Sequence, residues 1–168
     1  GLLGTLDVGG KVVLASATSP DDILDAITEE GVTITALVPA MVTVCMEMLE
    51  WDEDYDISSL RILQVGGAML EDSLADKIIE EWPCKLMQVF GTAEGLLSFT
   101  SPEDEGSLIA RCQGTPVSPA DEVKIVDEED KAVPEGVFGE LLSRGPYTID
   151  GYYMAEEANK KSFTSDGF

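Results

Sequence analysis

The sequence contains no histidine. That excludes zinc sites built on imidazole and every catalytic triad that uses a histidine base. Basic residues are scarce, 10 Lys and Arg against 33 Asp and Glu, for a formal net charge of −23. Nucleic acids are bound through clustered Lys and Arg, so no nucleic-acid partner is expected. The same charge disfavours an anionic membrane surface. The acidic runs Asp52-Glu53-Asp54 and Asp127-Glu128-Glu129-Asp130 read as solvated loops that aid solubility. Cysteine is also sparse. Cys45, Cys84 and Cys112 are odd in number and form no CxxC pair, which points to a reduced, cytoplasmic setting rather than a disulfide framework. No apolar run approaches the roughly 18 residues that a membrane span needs, and no basic region precedes the first apolar residues as in a signal peptide.

What remains is an ordinary core-forming composition, 44% hydrophobic and 26% charged over 168 residues. Strand and helix patterns alternate over the first hundred residues. Residues 11–15 read as a buried strand. Ser19 caps a helix with Pro20 at its first position and two acids in its first turn. Ile23 and Ile27 form its apolar stripe, and Gly31 ends it. Residues 33–38 form a second strand. Pro39 opens a helix with Met41, Val44, Cys45, Met48 and Leu49 on one face. Residues 60–65 form a third strand ending in Gly66-Gly67, and residues 70–82 a helix with Leu74, Ile78 and Trp82 at helical spacing. A fourth strand, residues 85–90, follows. Strands separated by helices predict a mostly parallel sheet with flanking helices. After Pro102 helical periodicity stops, and short strands (residues 122–126 and 139–144) alternate with turns such as 130–136. The expected fold class is therefore α/β, with an α/β subdomain over 1–102 and a smaller antiparallel, barrel-like β subdomain over 103–168. The latter ends in a short helix after Ala155.

Two strands of that sheet end in glycine, at Gly66-Gly67 and at Phe90-Gly91. In open parallel sheets, ligands bind beyond the carboxyl ends of the strands, and glycine there lets backbone approach a ligand closely. Glu94 adds a carboxylate beside the second turn. As isolated features, a Gly-Gly turn serves geometry alone, and a lone Glu is a solvated side chain.

Three segments, in order, change that balance. Gln88-Val89-Phe90-Gly91-Thr92-Ala93-Glu94-Gly95 resembles the adenine-binding motif of the adenylate-forming superfamily, whose common form is Asn-x-Tyr-Gly-x-Thr-Glu. Gly114-Thr115-Pro116 resembles its Gly-x-Pro step. Gly139-Glu140-Leu141-Leu142-Ser143-Arg144-Gly145 with Gly151-Tyr152-Tyr153 resembles its Gly-Glu-Leu strand and Gly-Tyr turn. The departures, Gln88 for Asn, Phe90 for Tyr and Ala93 for Thr, look like the aryl-acid branch of the 2,3-dihydroxybenzoate–AMP ligase type. Salicylate-activating members share most of these residues.

The resemblance implies two half-reactions. An aryl carboxylate attacks the α-phosphate of ATP to give an acyl adenylate, and the acyl group then passes to the phosphopantetheine thiol of an aryl carrier protein. It also implies roles. Gly66, Gly67 and Ala68 form one wall of an adenine slot. Gln88, Val89, Phe90 and Gly91 form the other, with Val89 near the aryl ring. Thr92 and Ala93 lie by the phosphate and acyl groups, Glu94 meets magnesium, and Leu97 closes the aryl pocket. For Phe90 and Leu97, plain core packing is the alternative.

The family's phosphate loop and aromatic-Asn segment match nothing in the chain. Its Thr-Gly-Asp motif and its lid domain with the adenylation lysine are likewise unmatched. The chain is accordingly expected to be a fragment, inactive in adenylation by itself and prone to self-association through exposed sheet edges. Two other readings compete: an adenylating enzyme for an amino or fatty acid, and a non-enzymatic receiver-like α/β module. The latter needs an Asp at its strand ends, where this sequence has glycine.

Overall fold

The structure, a computed structural model, describes residues 1–168. Helix α1 (Leu2–Asp7) is followed by an irregular stretch, then α2 (Pro20–Glu30), β1 (Ile34–Leu37), α3 (Pro39–Trp51), β2 (Ile62–Gly66), α4 (Asp72–Glu81) and β3 (Lys85–Gly91). The second half holds β4 (Leu97–Phe99), α5 (Gly106–Arg111), β5 (Thr115–Pro116), β6 (Glu122–Val126), β7 (Glu140–Arg144) and α6 (Glu156–Ser162). One sheet has the order β1-β2-β3-β4-β5, and β6 with β7 makes a second, antiparallel sheet. This is the expected class, α/β with a smaller antiparallel element behind it. The chain divides into two compact units, residues 1–88 with 100–112 and residues 89–99 with 113–168.

In the first unit, local chemistry sets the element boundaries as the sequence predicts. The Asp22 N–H donates to the Ser19 side chain at the start of α2, Pro20 holds the first turn, and Gly31 closes the helix at φ 62°. The α3 crossover brings β1 and β2 together in parallel, with Ile34 opposite Ile62 and Leu37 opposite Val65. Alternation along β2 sends Leu63 and Val65 inward. They pack with Leu24, Ile27, Val42, Cys45, Ile78 and Leu86 in one continuous core. Each large side chain fully buried there contributes about 1.5–3 kcal/mol.

Three expectations fail in this unit. Residues 11–15 are not a strand, and Leu14 is exposed. Val12 and Val13 have the propensity, but a β-branched pair stabilises a strand only against neighbouring strands. On α3, Cys45 is buried and Met41, Met48 and Leu49 pack against the core as expected, but Val44 is exposed and Val42 and Met46 are buried in its stead. The helix is apolar almost all round, so its sequence does not say which stripe turns inward. The third difference is α5, which forms where no helix was expected and buries Ile109 and Ala110. Six residues are too few to show a helical period, and its support is tertiary. Arg111 reaches Asp72 and Asp76 of α4, at 3.5 and 3.4 Å.

In the second unit, the end of β3 pairs antiparallel with β4, Val89 opposite Phe99 and Gly91 opposite Leu97. β4 pairs with β5, and β6 with β7 from Glu122 opposite Arg144 to Val126 opposite Glu140. The helix expected after Ala155 is α6.

Candidate functional site

The predicted site residues fall in both units. In the first, Gly66 ends β2 and Gly67 and Ala68 follow it, at the carboxyl end of the parallel β1–β2 pair. Gly67 sits at φ 80°, which a side chain would strain, and Gly67 and Ala68 are exposed. These are backbone groups open to a ligand, in the position the sheet topology favours.

Gln88 is different. It shares the inward parity of Leu86 along β3 and is only 2% exposed. Its amide nitrogen donates to the carbonyl oxygens of Ile109 (2.6 Å) and Ala110 (3.1 Å). Those carbonyls lie in the last turn of α5, where helical partners have run out. The Gln88 side chain thus terminates α5 from inside the core. Its N–H donates to Thr100 Oγ1 at 2.8 Å, and its carbonyl accepts from Thr100 N–H at 3.1 Å. The sequence carries no sign of this, since apolar Met87 and Val89 occupy the opposite parity from Leu86 and Gln88.

In the second unit, the motif forms the tip of the β3–β4 hairpin. Thr92 N–H donates to Leu96 O (2.9 Å) and Gly95 N–H to Thr92 O (3.3 Å). Ala93 and Glu94 therefore occupy the two central positions of a tight turn. Gly95 is required there for two reasons. Its φ is 145°, and a Cβ on it would lie 2.5 Å from Thr148 Cα. The chain from Thr148 to Tyr152 runs against this turn. Ile149 N–H donates to the Glu94 carbonyl at 2.9 Å, and the Tyr152 hydroxyl donates to Glu94 Oε1 at 2.9 Å. That hydrogen bond, with burial and the Glu94 charge acting the same way, holds the Tyr152 phenol above its ordinary pKa.

Beside the turn lies a pocket of about 230 Å³ lined by Thr92, Glu94, Leu142, Tyr152, Phe163 and Phe168 among others. Of the residues expected at the site, Thr92 and Glu94 line it. Leu96 lines it as well, whereas Leu97, 37% exposed, does not, nor do Val89 and Ala93. Thr148 also lines this pocket, and its Oγ1 is buried without a hydrogen-bond partner. Glu94 is half-buried, with Oε1 engaged by Tyr152. No group of three or more His, Cys, Asp or Glu could hold a metal ion without help. Glu94, with the Tyr152 hydroxyl beside it, is the carboxylate here that could take part in holding a divalent ion brought by a ligand's phosphates.

A second feature escaped the sequence. The Phe168 ring lies under two cations, Lys124 Nζ at 3.8 Å and the Arg144 guanidinium at 4.4 Å from its centroid. Arg144 also forks onto both Glu122 carboxylate oxygens at 2.8 Å. Such pairing is general. Eight of the ten basic residues, all but Arg61 and Lys161, stand within ion-pair distance of an acid.

The α/β fold, with glycine at the carboxyl end of a parallel strand, is one shared by many nucleotide-binding enzymes. The chain belongs to the AMP-binding enzyme family, whose profile matches residues 1–153. It is 49% identical over its full length to a 2,3-dihydroxybenzoate-AMP ligase of Bacillus subtilis, of which it covers 31%. It is 46% identical to a salicyl-AMP ligase/salicyl-S-ArCP synthetase of Mycobacterium tuberculosis, covering 30% of that protein. Among solved structures it superimposes on apo MbtA of Mycobacterium smegmatis with a TM-score of 0.89 and 46% identity, over 100% of this chain and 30% of that one. The chain thus spans about a third of the length of these relatives. No helix is long and apolar enough to cross a membrane.

Proposed function

We propose that these residues form the adenine- and magnesium-facing portion of an aryl acid–AMP ligase. The aryl carboxylate attacks the α-phosphate of ATP, pyrophosphate leaves, and the acyl group passes from the adenylate to a phosphopantetheine thiol on an aryl carrier protein. Identity near one half to relatives named for 2,3-dihydroxybenzoate and salicylate supports the acid class. The observation that carries the reading is Glu94 at the hairpin tip, lining a pocket and anchored through both its main chain and its side chain.

In this reading the backbone of Gly66, Gly67 and Ala68 meets one face of the adenine. Val89, Phe90 and Gly91 meet the other, with Val89 also near the aryl ring. Gln88 supports that wall by fixing β3 against α5. Thr92 and Ala93 lie beside the phosphate and acyl groups, Leu97 borders the aryl ring, and Glu94 holds magnesium. Magnesium bound there would offset charge on the phosphates during displacement. The protein's own contribution is positioning and fixed polar groups, since phosphate transfer asks little covalent chemistry of it.

The test is ATP–pyrophosphate exchange by the protein produced from the whole reading frame encoding these residues. It is assayed with 2,3-dihydroxybenzoate, salicylate, an amino acid and a fatty acid. Exchange driven by one of the two aryl acids, lost about 100-fold in Glu94→Gln, is the expected result. Exchange driven by the aliphatic acids instead ends the aryl reading.

A further inference from the structure

The Tyr152 side chain is more constrained than a packing role requires. Its ring meets Phe163 edge-on, with centroids 5.9 Å apart. Its N–H donates to Asn159 Oδ1 (2.7 Å), and its carbonyl accepts from Asn159 Nδ2 (2.9 Å). Asn159 lies on α6, so one side-chain amide grips the Tyr152 peptide from both sides. The hydroxyl is then delivered to Glu94 Oε1 at 2.9 Å, across 58 positions of sequence. Phe163, Tyr152 and Glu94 all line the same pocket.

We propose that Tyr152 is a positioning residue for Glu94, and that α6 sets its position through Asn159. A carboxylate at a turn tip rotates freely about its side-chain torsions. A hydroxyl fixed by an external helix ties one oxygen and turns the other toward the pocket. The cation then meets a ligand already oriented, and less rotamer freedom is lost on binding. The role of the cation rests on the functional reading above, but the orienting contact does not.

Two measurements separate them. In the 168-residue chain, side-chain scalar couplings report whether Glu94 occupies one rotamer. Tyr152→Phe keeps the ring against Phe163 and removes only the hydroxyl, and Asn159→Ala releases the grip while leaving Tyr152 intact. Both variants are expected to average the Glu94 rotamers with little change in the thermal midpoint. In the exchange assay, Tyr152→Phe is expected to raise the half-saturating magnesium concentration about fivefold, with the maximal rate recovered at high magnesium and KM for the aryl acid unchanged. A retained single rotamer in Tyr152→Phe, or an unshifted magnesium requirement, overturns the proposal. If the unaltered protein shows no magnesium-dependent exchange, the functional reading falls, and the rotamer measurement alone decides the contact.

Discussion

Gln88 donates from one amide nitrogen to two consecutive carbonyls, those of Ile109 and Ala110, across 21 and 22 positions of sequence. Both acceptors are buried backbone groups at a helix end, and such groups are costly when left without a donor. Gln88→Met removes the donor and is expected to cost about 1–3 kcal/mol. Gln88→Glu should be worse at neutral pH, because it turns an acceptor toward two acceptors. Urea denaturation of the three proteins orders them. A Glu variant as stable as the parent would contradict the account.

Gly95→Ala should destabilise by about 1–3 kcal/mol. The added methyl would sit 2.5 Å from Thr148 Cα, at a φ that side chains avoid. Neither the turn nor the facing chain can relax without disturbing the Ile149–Glu94 hydrogen bond. The thermal midpoint is expected to fall and, in the exchange assay, the half-saturating magnesium concentration to rise; an unchanged midpoint would contradict the clash.

Burial pushes the thiols of Cys45 and Cys84 up to about 11. Their folded pKa values exceed the value of about 8.5 expected for an unfolded thiol. The stability this contributes is complete below that value and is lost as pH rises towards 11. Denaturation midpoints should therefore fall over that window, and Cys45→Ala should remove part of the slope. At neutral pH a disulfide reagent should label Cys112 first, since it alone is not buried. Rapid labelling of all three would be inconsistent with the core as described.

The Arg144–Glu122 fork predicts the opposite slope on the acid side. The hydrogen bond from Arg144 holds the Glu122 carboxyl below its ordinary value. That contribution is present above the ordinary carboxylate pKa and is lost as pH falls through the lowered one. Arg144→Lys keeps the charge but not the bidentate geometry, so it should flatten this part of the acid limb. Arg144→Gln should abolish it.

The elements legible in the sequence were those with local causes. The α2 boundaries were set by Ser19, Pro20 and Gly31, and the parallel pair β1–β2 by a helix too long for a hairpin. The motif from Gln88 to Gly95 was legible as a strand followed by a turn. What was not legible had non-local causes. Residues 11–15 lack a partner strand, α5 is held by α4 and Gln88, and Val44 yields to Val42 and Met46 on a helix apolar on several faces. At the site, the sequence singled out Glu94 and Thr92. It gave no sign of Tyr152 as a partner of Glu94, because the contact closes a 58-residue loop and rests on a helix that comes later still.

The near-complete pairing of cations with neighbouring acids bears on how a polyphosphate reaches the protein. With eight of ten bases already matched, the surplus carboxylates face solvent as an almost unrelieved negative field. On the function proposed above, this field would repel free nucleotide on approach, and its chelate with a divalent ion much less so. Added electrolyte shortens the reach of that repulsion to about 8 Å near physiological ionic strength. Encounter with nucleotide should then quicken as salt rises, the reverse of the slowing seen where basic patches draw phosphates in.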